Sequence, residues 1–256
     1  MKVSVVIANY NSSTYIQQCI DSLNSQTYKS LEIIFFDDNS SDKSLDIIRK
    51  FSNVKIIENK VQTKFGSINQ LNAFKKAVEI SNGDIIFLLD GDDYFKNEKI
   101  EKGVHHFQDN QKANIVFDYP IMVEGDKIYN VRARNNLFKT YWPYIHPTSC
   151  ISIRKDCFDE LFKMVSYKEF TDVWLDLRIC LFSKYILKDF QIINENLTFY
   201  RKTVSNVSSR FNKFSKNWWK RRMQAHQFFQ KFSKDNELDF NKNFDFLLTK
   251  IICKFL

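Results

Sequence analysis

Glycine and proline are scarce: the 256 residues include five Gly and three Pro. So few glycines argue against a Gly-rich phosphate loop, and neither GxGxxG nor GxxxxGK[ST] occurs. A dinucleotide fingerprint and a P-loop are thereby excluded. The five cysteines (Cys19, Cys150, Cys157, Cys180, Cys253) are odd in number, widely spread and without a CxxC pair. No zinc site or redox pair is expected, and a reducing compartment is. Cys19 and Cys180 fall in apolar-patterned helices and read as small core residues. His105, His106 and His226 lack the spacing partners of a metal site. No apolar run reaches 18 residues, so no span of a bilayer is expected. Met1-Lys2 leads straight into Val3 to Ile7, a run too short for a signal-peptide core.

What is present is a globular composition, 44% hydrophobic and 27% charged. The length fits one large domain, or one domain with an appendage. The net charge of +8 is uneven. After Ser209 there are eleven Lys and Arg against four acids, which leaves about +1 for the rest.

The chain is organised around Ile85 to Phe95. Five apolar residues, Ile85 to Leu89, stop at Asp90, Asp92 and Asp93. A short apolar run ended by a turn signal predicts a strand buried on both faces. Its carboxylates then project from the carboxyl edge of a sheet, where open α/β sheets bind ligands. Crowded carboxylates raise one another's pKa unless a cation neutralises them, and Mg²⁺ or Mn²⁺ suits oxygen ligands and phosphate together. A plain polar turn is the alternative.

Earlier segments repeat the pattern. Val3 to Ala8 predicts a strand followed by the polar loop Asn9 to Ser13. Ile16, Ile20 and Leu23 then share one helix face. Leu31 to Phe36 predicts a second strand ending at Asp37-Asp38, followed by a helix with Leu45, Ile48 and Phe51. Val54 to Ile57 predicts a third strand, and Ile68 to Ile80 a helix stopped by Asn82-Gly83. Strands alternating with helices predict a parallel sheet of βαβ units.

These segments resemble the family 2 glycosyltransferases. The carrying residues are Val3 to Asn11, Ser25-Gln26-Thr27-Tyr28, Phe36 to Asp42, Asn82-Gly83-Asp84 and Leu89 to Asp93, in register over roughly the first hundred residues. More thinly, His146 to Ile153 is similar to the family's acceptor-side strand. Thr171-Asp172 with Arg178 is similar to its Glu-Asp element, with Thr in the Glu position. Tyr200-Arg201 is similar to its Tyr-Arg motif, with Thr203 where a His often follows.

The resemblance implies the GT-A fold: an α/β architecture with a Rossmann-like, mainly parallel central sheet flanked by helices. Residues 1–209 would form the domain, with a nucleotide-sugar half (1–110) and an acceptor half (111–209). Residues 210–256 would form a basic helical appendage. It implies an inverting, metal-dependent transfer from a UDP- or dTDP-sugar to a hydroxyl of a glycan or lipid-linked acceptor, in cell-surface polysaccharide synthesis.

The residue roles follow from the same resemblance. Ala8, Asn9 and Tyr10 line the nucleotide. Asp38 accepts the imide hydrogen bond of the base; capping of the next helix is its alternative. Asp93 is the direct ligand of Mn²⁺ or Mg²⁺, Asp92 shares the metal or touches the ribose, and Asp90 stands behind them. Asp172 is the general base, or else a cap of the helix holding Trp174, Leu177 and Leu181. Lys64 and Gln70 occupy positions near the phosphates. Arg178 and Arg201 are supporting candidates. His146 faces the acceptor or is structural.

Residues 210 to 232 place Phe211, Phe214, Trp218, Ala225, Phe229 and Phe232 at near-helical spacing among Lys and Arg. Phe244, Leu247, Leu248, Ile251, Ile252 and Phe255 form a second stripe. Two amphipathic helices are predicted. They either pack on the domain or on each other, or dock on an anionic membrane, which would place a cytoplasmic enzyme peripherally on the inner face. No nucleic-acid module accompanies the charge. Two rival readings remain: a sugar-nucleotide pyrophosphorylase, although Asn9 to Tyr15 lacks its Gly and Lys, and a non-catalytic nucleotide-binding scaffold.

Overall fold

The structure, a computed structural model, describes residues 1–133, 142–202, 212–239 and 243–256. Thr203 and Phe211, singled out above, lie outside the described residues.

Four strands form the parallel half of the sheet: β1 (Val3–Asn9), β2 (Leu31–Asp38), β3 (Val54–Asn59) and β4 (Ile85–Asp90). They run in the order β3-β2-β1-β4. Their apolar runs are continuous because both faces are covered. On one face Val3, Val5, Ile7, Ile33, Phe35, Ile85, Phe87 and Leu89 pack on α1 (Ile16–Asn24), α2 (Ser44–Ile48) and α4 (Lys99–Asp109). On the other, Val6, Ile34, Phe36, Ile86 and Leu88 pack on α3 (Gly66–Glu79) and further helices. Successive strand residues therefore divide between two cores, as the two-residue repeat of a strand requires.

Beyond β4 the directions mix. A hairpin-length strand β5 (Tyr94–Phe95) precedes α4. Then come β6 (Ile115–Glu124), β7 (Lys127–Asn130) and β8 (Ile151–Arg154). α5 (Lys155–Val165), α6 (Leu175–Phe182) and β9 (Gln191–Arg201) follow. β8 joins β4 and β6 antiparallel, β6 and β9 are parallel, and β5 and β7 pair antiparallel with β9 and β6. The sheet is thus parallel where βαβ units were predicted and mixed in the second half.

Two helices end the chain: α7 (Lys216–Asp235) and α8 (Phe244–Lys254). α7 belongs to the main core: Phe228, Phe229 and Phe232 are buried in the cluster that holds Phe158, Leu161, Ile179 and Phe182 of α5 and α6. α8 is joined to α7 through Asp245, whose Oδ1 accepts from Arg222 Nε at 2.9 Å and whose Oδ2 accepts from Trp142 Nε1 at 3.2 Å. That seating buries Phe246 and Thr249, and it leaves the predicted stripe outward: Phe244, Leu247, Leu248, Ile251 and Phe255 are all exposed. No helix among the described residues is long and apolar enough to cross a membrane. All five cysteines are unpaired, and Cys19 and Cys180 are core residues.

Candidate active site

Strand register brings the polar strand ends to one level. Asn9 lies beside Asp37, Ala8 beside Asp90, and Asp38 beside Asn59. The loops that follow are stitched together. Asn9 Nδ2 donates to Asp37 Oδ1 (2.9 Å) and to Ser40 Oγ (3.1 Å). Asn11, in the left-handed region at φ 52°, accepts from Ser41 N–H at 2.8 Å. Asp42 accepts from the N–H groups of Ser13 (2.8 Å) and Ser44 (2.9 Å). Asn9, Asp37 and Asp42 therefore brace the platform.

Asp38 caps no helix. Its carboxylate accepts from Asn59 Nδ2 (2.7 Å) and Gln62 Nε2 (3.0 Å), partners for which the sequence offered no signal. Tyr10 is 54% exposed beside this platform, so its ring is accessible to a planar ligand. Gly91 allows the acidic loop to close on β1: a Cβ there would lie 2.6 Å from Asn9 Oδ1.

Asp90, Asp92 and Asp93 crowd one another in the turn after β4. Burial, then the neighbouring Asp92, pushes the Asp90 carboxyl up to about 7, against a hydrogen bond from Gln70 Nε2 at 3.0 Å. Burial, Asp92 and Asp90 hold Asp93 well above the carboxylate range. Asp93 is buried, and both its oxygens accept: Oδ2 from Ser149 Oγ at 2.6 Å and Oδ1 from Arg201 N–H at 2.8 Å. Asp92 is half-buried and is the more reachable carboxylate. Among the described residues no three His, Cys, Asp or Glu side chains form a metal cage. Mg²⁺ and Mn²⁺ on nucleotides need only one or two carboxylates, with phosphate and water completing the shell. The carboxylate donor set fits such an ion.

Behind Ser149 lies a buried ion pair. Lys99 Nζ contacts the Asp118 carboxylate and donates to Ser149 O at 2.7 Å. Thr198 Oγ1 donates to Asp118 Oδ1 at 2.8 Å. This network ties α4, β6, β9 and the turn before β8 to Asp93, and no sequence motif announces it.

The second half of the site comes from the segment before α6. Ser67 Oγ, on the first turn of α3, donates to Thr171 O at 2.6 Å, and Gln70 on the same helix reaches Asp90. Asp172 is half-buried and is not the cap of α6, which has no side-chain cap. Its N–H and carboxylate both pair with Gln224 of α7. Asp176, one turn on, acts on Asp90 and on Tyr200. Burial, Asp93, Asp176, Asp90 and Asp92 together drive the Tyr200 phenol far upward. Asp176, Ser149 and Gln224 were not singled out from the sequence; the one signal was the four-residue spacing from Asp172 to Asp176.

Three candidates stand apart from the cluster. His146 is buried among Phe117, Tyr119, Tyr144 and Phe190, with Nδ1 bonded to Asp118 O at 2.7 Å. Burial pushes it down to about 4, so the ring is neutral and faces the core. The Arg178 guanidinium is spent on backbone: Nε donates to Val173 O (2.9 Å), Nη2 to Phe170 O (2.9 Å) and Nη1 to Tyr167 O (3.0 Å). It shapes the Asp172 segment without facing the carboxylates. Lys64 is exposed, with Nζ 5.2 Å from the Phe65 ring centroid. Arg201 keeps its backbone on Asp93 while its guanidinium lies 4.8 Å from both the Tyr15 and Tyr94 rings.

Comparison with known proteins agrees with this arrangement. The family model described as "Glycosyl transferase family 2" matches residues 4–165. An uncharacterised glycosyltransferase of Nostoc sp. is 27% identical over 218 residues, covering 78% of this chain and 65% of its own. A UDP-Glc:α-D-GlcNAc-diphosphoundecaprenol β-1,3-glucosyltransferase of Escherichia coli is 38% identical over 117 residues, covering 46% of this chain and 44% of its own. The chain thus spans less than two thirds of the length of these curated relatives. Among solved structures, S. aureus TarS (residues 1–349) in complex with UDP-GlcNAc superposes with a TM-score of 0.64 at 15% identity. That match covers 99% of this chain and 70% of the other. A Pyrobaculum calidifontis mannosyltransferase in complex with GDP-Man and Mn²⁺ superposes with a TM-score of 0.59 at 14% identity, covering 98% and 69%. At these identities the likeness is one of fold.

Proposed function

The chain belongs to glycosyl transferase family 2, and from that premise we propose that it transfers a sugar from a UDP- or dTDP-sugar to a hydroxyl of a glycan or lipid-linked acceptor, with inversion. The observation that carries this reading is the convergence of Asp38, the Asp90–Asp92–Asp93 cluster and Asp172 on one sheet edge, through β1, β2, β4 and α3. Membership of the family sets the pyrophosphorylase alternative aside. A scaffold would have no use for a half-buried carboxylate held in place at Asp172.

In this reading Asp38 accepts the imide N–H of uracil or thymine, as a carboxylate suits. Tyr10 stacks on the base. Asp92 and Asp93 hold Mn²⁺ or Mg²⁺, with Gln70 fixing Asp90 beside them. When bound, the ion neutralises the charge that develops on the leaving diphosphate. Asp172 takes the acceptor hydroxyl proton as the acceptor oxygen bonds to the anomeric carbon and the bond to the diphosphate breaks. The donors of the TarS and E. coli proteins, UDP-GlcNAc and UDP-Glc, support a uridine donor, and the latter's lipid diphosphate supports such an acceptor in cell-surface polysaccharide synthesis. The Mn²⁺ of the mannosyltransferase complex supports the metal.

The outward stripe of α8, flanked by Lys250 and Lys254, supports peripheral docking on an anionic membrane, the place of a lipid-linked acceptor.

The test is Asp172→Asn, assayed with UDP-glucose and UDP-GlcNAc on a GlcNAc-diphosphate lipid. Transfer should fall by about a thousandfold, within the usual range for a lost general base, while UDP affinity is kept. Normal turnover would remove Asp172 from the chemistry.

A further inference from the structure

α7 does more than pack. Gln224 is half-buried on its inner face and makes two hydrogen bonds to one residue. Its Oε1 accepts from Asp172 N–H at 3.0 Å, and its Nε2 donates to Asp172 Oδ2 at 3.0 Å. The backbone N–H can only donate, so it fixes which way the amide points. Nε2 is then necessarily turned to the carboxylate. Two residues further along the chain of contacts, the rest of the segment is also tied down: Thr171 O by Ser67, and the carbonyls of Phe170 and Val173 by Arg178. Gln224 is itself presented by a rigid support, since Phe228 and Phe229 beyond it are fully buried. One turn earlier on α7, Arg221 offsets part of the burial that pushes the Asp176 carboxyl up. α7 thus meets the segment before α6 through Gln224 at Asp172.

We propose that Gln224 is the positioning residue of Asp172, which makes α7 part of the active site; this rests on Asp172 being the base. The amide orients the carboxylate and leaves Oδ1 for the acceptor hydroxyl. Small misplacement of a reacting group is expensive: about an ångström costs on the order of a hundredfold in rate.

The test compares Gln224→Leu and Gln224→Glu with the parent full chain. Three readouts are used: UDP affinity, kcat and KM for transfer to the GlcNAc-diphosphate lipid, and hydrogen-exchange protection of the Asp172 N–H. Asp176 and Arg221 are unchanged in all three proteins. With Gln224→Leu, kcat should fall about a hundredfold at unchanged UDP affinity. Protection of the Asp172 N–H from hydrogen exchange should be lost, because leucine offers it no acceptor. Gln224→Glu keeps an acceptor for the Asp172 N–H but sets a like charge beside the carboxylate. It should preserve hydrogen-exchange protection of that amide while kcat stays depressed. If both variants fold and transfer normally while Asp172→Asn is inactive, the positioning role is wrong and the base stands. Turnover that survives Asp172→Asn would overturn both.

Discussion

At the scale of single residues, most of the Asn, Asp and Ser side chains in the two loops after β1 and β2 are occupied with one another. Asn9, Asn11, Asp37 and Asp42 share their hydrogen bonds across the loops. What this leaves for a ligand is Asp38, the Tyr10 ring and the acidic turn after β4. Gly91 shows how tight the fit is. Its backbone is not in the left-handed region, so the demand on it is contact alone: a Cβ would meet Asn9 Oδ1 at 2.6 Å. Gly91→Ala should therefore cost about 1–3 kcal/mol in a urea unfolding midpoint, as overpacking does. It should also weaken UDP binding several-fold, because Asn9 must move the loop that carries Tyr10. A variant with parent stability and affinity would contradict the close-approach argument. The sequence showed these residue types in register, but not their division of labour. Asn59 and Gln62 grip Asp38 from a different strand and loop, and Gln224 reaches Asp172 from 52 positions away. Such pairings have no local pattern.

At the scale of elements, β1, β2 and β4 were legible because burial on both faces leaves an unbroken apolar run. The two C-terminal helices were legible as helices; of the predicted stripes, Phe229 and Phe232 pack inward and that of α8 faces out. On α7 the buried side centres on His226, Phe228, Phe229 and Phe232, while Phe214 is 65% exposed. On α8 the bulkier stripe faces out because Asp245 fixes the helix rotation. Burial tends to raise the Asp245 carboxyl, but hydrogen bonds from His226 and Arg222 and the Arg222 charge outweigh it and hold it well below the usual range. Its folded pKa is lower than its unfolded one, so its contribution is present above the ordinary carboxylate pKa near ~4 and is lost as pH falls through the folded value. Asp245→Asn at neutral pH should cost about 2 kcal/mol, the scale of a charged hydrogen bond, and release α8 amides to hydrogen exchange. The parent should show that release only in acid. Equal α8 protection in both proteins would contradict the clamp. The outward stripe gives a second expectation. Leu247→Glu with Ile251→Glu, both at exposed sites, should leave stability intact and abolish co-sedimentation with phosphatidylglycerol vesicles. Retained binding, or none by the parent, would assign the stripe to another role.

At the scale of the whole molecule, the two-sided sheet does one thing for function: it aligns the ends of three strands, and the mixed second half then brings α6, β9 and α7 over that edge. The first half of this was readable as alternating strands and helices. The second was not, because the antiparallel crossings of β8 and β6 and the return of α7 are long-range events. The central claim is a uridine- or thymidine-diphosphate site completed by a divalent cation, and the most direct measurement is a thermal-shift panel of UDP, dTDP, GDP, CMP and ADP, each with and without Mn²⁺. A ligand that binds the folded state raises its stability with the logarithm of saturation, by about 2.7 kcal/mol at a hundredfold excess over Kd. The account predicts stabilisation by UDP or dTDP that depends on Mn²⁺ and disappears in Asp92→Ala. Stabilisation by GDP instead, or no shift with any nucleotide in the presence of Mn²⁺, would contradict it.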